Sequence, residues 1–143
     1  MHTSWRSAVS YAAIVTLVSL AVGEAVNLLW DTEPPTRDQV SAALLSPERL
    51  AFPLVAIVVL VEARLVLPAG SRWITAGVDT GLYALVLLLI TAAEAVTYGG
   101  PPADSAFVML LFALLTLQLP AVFALSAWRH AYLARRGRAA LTT

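Results

Sequence analysis

TAAEAVTYGGPP, residues 91–102, restates in altered form an earlier stretch, AVGEAVNLLWDTEPP, residues 21–35. In each, Glu-Ala-Val closes a long apolar run and a proline pair follows. The run decides the fold and the acid poses the functional question. A carboxylic acid is placed, twice, where a chain of this composition meets lipid.

Outward from these stretches the sequence is apolar. Of 143 residues, 59% are hydrophobic and 13% charged, and mean hydropathy is +0.80. Soluble domains carry roughly twice that share of charge, about 25%. Charge-free stretches cover residues 7–23, 50–61, 80–93 and 105–128. A bilayer core of about 30 Å takes roughly 20 helical residues to cross. The pattern predicts four spans, at 7–30, 49–67, 74–98 and 105–128. The second includes Glu62 and Arg64 but starts on Ser46-Pro47, a cap followed by a first-turn proline. The expected fold is all-α, a polytopic four-helix membrane bundle forming a single domain over 1–143. The N-terminal run reads as a span rather than a cleaved signal, because it is long and Glu24 would crowd the cleavage site.

Basic residues favour the cytoplasmic side of a membrane. Arg6, Arg64, Arg72, Arg129, Arg135, Arg136 and Arg138 fall on one side of the four spans, and Arg37 and Arg49 on the other. Both termini are therefore expected in the cytoplasm. Trp5, Trp73 and Trp128 then mark the inner boundary and Trp30 the outer one. The alanine-rich composition, with arginine as the sole basic residue apart from histidine, suggests a GC-rich genome and a bacterial inner membrane. In the first outer loop, Thr36-Arg37-Asp38-Gln39 fits a capping box. Val40, Ala43 and Leu44 share the next face, which predicts a short interfacial helix. The tail Arg135-Arg136-Gly137-Arg138 reads as a topology anchor on anionic lipid.

Formal net charge is zero, which argues against nucleic acid as a partner. Cysteine is absent, so disulfides and thiolate chemistry are excluded. Two histidines, His2 and His130, make a bis-histidine haem improbable. No cofactor and no metal is expected.

Aligning Glu24 with Glu94 sets Asn27 against Thr97, and Pro53 against Pro120. The spacings are 53 − 24 = 29 and 120 − 94 = 26 residues. This predicts a parallel repeat, 1–73 and 74–143, of two helical hairpins about an axis along the membrane normal. Asp79 falls opposite Val9, which counts against it. At 1.5 Å per residue, both glutamates lie roughly 6–10 Å below the outer boundary, and a twofold axis would bring them together. Paired carboxyls resist joint ionisation, leaving one as proton donor and one as acceptor. Glu24 and Glu94 are thus the candidate catalytic pair. Asn27, Trp30, Thr97, Tyr98 and Gln118 are the candidate substrate contacts. Gly77 and Gly81 form a GxxxG pattern whose default meaning is packing. Pro120 withholds a donor from the Thr116 carbonyl. Glu62, Arg64, Asp79 and Arg129 are expected to form structural ion pairs toward the cytoplasm, with a proton path through Asp79 as the alternative.

Three functions follow. The first is cofactor-free acid/base chemistry, such as isomerisation, cyclisation or epoxide opening, on a lipophilic small molecule. The second is an accessory subunit, in a homo-oligomer or larger membrane complex. The third is proton-coupled transport of a small molecule. A four-span chain with a glutamate in its first span is superficially similar to small multidrug transporters. This one departs from them in its length, its outer helix, the shallow glutamate and the duplication, so membership is not assigned.

Overall fold

The computed structural model describes residues 5–30, 47–67 and 70–139. The expected interfacial helix at 36–44 and the side chains of the arginine tail lie outside the described residues. Within them the chain is all-helical, with five helices and no strand: α1 (Trp5–Trp30), α2 (Pro47–Val66), α3 (Arg72–Thr97), α4 (Pro102–Leu115) and α5 (Gln118–Ala139).

Local chemistry sets the helix ends. The Ser71 hydroxyl caps α3 by accepting from the Ile74 N–H at 3.4 Å. At the other end, Gly99 takes φ +73°. The Gly100 N–H reaches the Ala95 carbonyl at 2.7 Å and the Gly99 N–H reaches that of Val96 at 3.2 Å. That double closure is a Schellman stop, which favours glycine at the left-handed position and proline just after it. Pro101 follows, and α4 restarts with Pro102 in its first turn.

Two helices, α1 and α3, are long and apolar enough to cross a membrane, and α4 with α5 makes a third candidate if the bent pair is one span. Every 18-residue window of α2 contains Arg49, Glu62 and Arg64, so α2 does not pass the same test. The expected continuous span at 105–128 is corrected here. The helix breaks at Thr116 and Leu117, and its two parts bend by 60°. Pro120 has no N–H for the Thr116 carbonyl, and a helix restarting at Gln118 puts that proline in the first turn, where no donor is needed. Leu117 takes φ +61° at the corner, which costs a non-glycine residue about 1–2 kcal/mol. Pro53, its expected counterpart, lies inside an uninterrupted α2. The two halves differ at this point.

α1, α2 and α3 alternate in direction, and α5 runs antiparallel to α1. Contacts join Tyr11 of α1 to Asp79 of α3, and Arg64 of α2 to that same Asp79. Further up, Phe52 of α2 meets Tyr83 of α3 edge-on, ring centroids 5.1 Å apart. α1 packs on α2 and α5, while α3 packs on α2, α4 and α5. The order around the bundle is thus α1, α2, α3, α5, with α1 and α3 on a diagonal and α4 outside α3. α1 turns a stripe rich in small and polar residues inward. The stripe is Ala8, Tyr11, Ala12, Val15, Thr16, Ser19 and Gly23. Their spacing of three or four residues is that of one helix face. Leucines and valines such as Leu17, Val18, Leu28, Leu85 and Leu89 cover the outside.

Gly77 and Gly81 are exposed, so the GxxxG pattern is not a contact between the described helices. An added Cβ at either meets nothing within 4 Å. Gly77→Ala and Gly81→Ala should therefore leave the thermal midpoint of the detergent-solubilised protein unchanged or raised. Alanine is favoured over glycine in a helix by up to about 1 kcal/mol. A fall in the midpoint would instead reveal that another chain covers this face.

Candidate functional site

The bundle interior is polar along one seam, and its lower end is ionic. Asp79, about two turns into α3, is 0% exposed. Its Oδ1 accepts from Arg64 Nη2 at 2.8 Å and its Oδ2 accepts from the Tyr11 hydroxyl. That hydroxyl also lies 3.4 Å from the Ser126 carbonyl of α5. The Arg64 guanidinium stands 5.7 Å from the centre of the Tyr11 ring, within cation–π range. Beside this group, Arg129 Nη2 donates to Ser10 Oγ at 3.1 Å. One carboxylate thus draws α1, α2, α3 and α5 to a common point.

The upper end is neutral. Gln118 Nε2 donates to the Tyr83 hydroxyl at 2.5 Å, next to the break between α4 and α5. Its amide lies close against α1, since a Cβ on Gly23 would stand 3.2 Å from Gln118 Oε1. Glycine leaves that space free, and even a Cβ would press on the amide. The Thr116 hydroxyl donates to the Phe112 carbonyl at 2.9 Å, which also accepts from the Thr116 N–H.

Between the two ends, Thr16 and Ser19 occupy the intervening turns of α1, both 0% exposed. Thr16 Oγ1, Ser19 Oγ, Ser126 Oγ, Arg64 Nε and Arg129 Nε are buried without a hydrogen-bond partner among the described residues. From Tyr11 to Gly23 is twelve residues, so the seam extends over about 18 Å at helical rise. Buried polar atoms are normally paired, and five such atoms in one seam single it out.

The residues singled out from sequence divide sharply. Gln118, Asp79 and Arg64 belong to the seam, as does Arg129 through Ser10. Glu24 and Glu94 do not meet. They stand on diagonal helices and both are exposed. Glu24 continues the outward stripe of Leu17, Ala21 and Leu28. Asn27 is half-buried, and Trp30 and Tyr98 are exposed. The Thr97 hydroxyl bonds back to the Ala93 carbonyl at 2.9 Å. Glu62 is exposed and forms no ion pair among the described residues, and of the four expected ionic residues Arg64 and Asp79 pair.

Tyr11, Tyr83, Ser126, Thr16 and Ser10 were missed as functional residues. A signal for the tyrosines existed. A tyrosine inside an apolar run, away from the interfacial belt, needs a buried partner for its hydroxyl. Comparison of the chain with protein families, with characterised proteins and with solved structures finds no match.

Proposed function

We propose that the chain is a four-span membrane protein that carries protons along the α1–α5 seam and couples them to the movement of a small molecule. In this reading α2 and the bent pair α4–α5 are spans two and four, and both termini face the cytoplasm. The observation that carries it is Asp79, wholly buried between Arg64 and Tyr11 at the lower end of the polar seam. Ionisable side chains inside spans are expensive and concentrate on proton and ion pathways.

The step is simple in charge. A proton arriving on the Asp79 carboxylate cancels its charge and leaves the Arg64 guanidinium without a counter-ion. Its departure restores the pair. The hydroxyls of Thr16, Ser19 and Ser126 pass a proton by accepting one on oxygen and releasing their own, so no net charge stays behind. Single waters bridge the turns between them, about 5 Å each. The break at Leu117 supplies a flexing point, as discontinuous helices do in transporters.

The test is proton uptake into liposomes holding the purified protein and a pH-sensitive dye. Thr16→Val and Ser19→Ala remove hydroxyls without a partner among the described residues, so each should change stability by under about 1 kcal/mol. Ser126→Ala removes the hydroxyl beside Asp79 and Tyr11. Flux should nevertheless fall several-fold in each. Unchanged flux in all three would sink the seam as a path.

A second reading has a specific observation behind it. Glu24 and Glu94 face outward without a partner among the described residues, as an accessory subunit's acids would before a neighbour covers them. Acid/base catalysis by this pair requires that neighbour too, since a second copy would have to bring the carboxyls together. Glu24→Gln and Glu94→Gln altering assembly on native gels, with flux intact, would favour it.

A further inference from the structure

An open groove of about 560 Å³ lies between α3 and α4, lined by Thr91, Asp104, Ser105, Val108, Met109 and Phe112. We infer that it seats one acyl chain of an aminophospholipid drawn from the surrounding bilayer, with the ethanolamine ammonium on Asp104. This site stands apart from the proton-carrying seam.

Three observations lead there. First, the wall is graded: Asp104 and Ser105 lie in the first turns of α4, and Val108, Met109 and Phe112 follow at successive turns. From Asp104 to Phe112 is eight residues, about 12 Å of rise. A polar head and an extended chain match that order. Second, Asp104 is the one charged residue lining the groove and makes no ion pair with a described residue. Its charge complements an ammonium and repels an anionic head. Part of that charge offsets the positive end of α4, but a carboxylate has acceptor sites for both uses. Third, Asp104 follows the Gly99-Gly100 turn, six residues after the exposed Tyr98, and tyrosine is an interfacial residue. The carboxylate is thus at the level where headgroups begin. Met109 and Phe112 can adapt to a mobile chain.

The experiment uses the full chain in nanodiscs of ethanolamine, glycerol or choline phospholipid, each doped with the same lipid bearing a photoactivatable acyl chain. Labelled peptides are mapped by mass spectrometry. The ethanolamine lipid should label residues 105–112 several-fold above the glycerol lipid. Asp104→Asn should lower the ethanolamine signal about three-fold, the scale of an exposed ion pair, and leave the glycerol signal level or higher. Val108→Trp, which fills the groove, should remove both, with helicity by circular dichroism confirming the fold. Equal labelling by all three lipids, or no response to Asp104→Asn, overturns the proposal and leaves only ordinary bilayer contact.

Discussion

Asp79→Asn is expected to end proton uptake and to lower stability by about 3–5 kcal/mol, the cost of leaving one buried charge uncompensated. The side chain is 0% exposed, and Arg64 beside it is 12% exposed, so water does little to rescue the orphaned guanidinium. Arg64→Met should cost a similar amount for the converse reason. Asp79→Leu combined with Arg64→Met should recover most of the loss, because a buried ion pair replaced by packed apolar groups is often neutral or better. That double variant still conducts nothing, since the titrating group is gone. The pattern separates a lock from a pathway. A purely structural pair would leave flux intact in the double variant, and a single-variant cost below about 1 kcal/mol would place the pair in water. Reversible unfolding in mixed micelles gives the first readout and the liposome assay the second.

Gly23→Leu is expected to destabilise by about 1–3 kcal/mol through overpacking, and to part α1 from α5 near the bend. A Cβ at this position stands 3.2–3.4 Å from three atoms of Gln118, and a leucine adds three more carbons. Gln118 cannot withdraw freely, because its amide donates to Tyr83 and the carboxamide is buried. Gly23→Ala should be much milder, since the nearest atom is the terminal oxygen of a side chain that can move by tenths of an ångström. Gln118→Ala should rescue Gly23→Leu, and the two effects should be strongly non-additive, as contacting residues are. Additive losses in unfolding midpoint would show that the leucine disturbs something other than Gln118.

Much of the fold was legible because helix ends obey local rules. Ser71, Gly99-Gly100-Pro101 and Pro102 each sit where sequence alone would put a start or a stop. The break before Pro120 was only half legible. The lost donor could be read, but Pro53 carries the same signal inside an intact α2, and the left-handed turn at Leu117 is a tertiary choice. The outward direction of Glu24 and Glu94 was hidden for a different reason. In water, an apolar stripe marks the core; in lipid the outside is as apolar as the inside, so periodicity loses its sign. The direction of the two acids could not be read from it. The ion pair needed the order of helices around the bundle. Nothing in the spacing of Glu62, Arg64, Asp79 and Arg129 selects Arg64 as the partner of Asp79.

The bend between α4 and α5 also bears on how the chain enters a membrane during synthesis. α4 has 14 residues, about 21 Å of helix, which falls short of a bilayer core of about 30 Å. It cannot stop as a completed crossing when it leaves the ribosome. If the bent pair is one span, the crossing is complete only once α5 supplies the missing length. Lengthening the chain between Thr116 and Gln118 would therefore disturb insertion before it disturbed the finished protein.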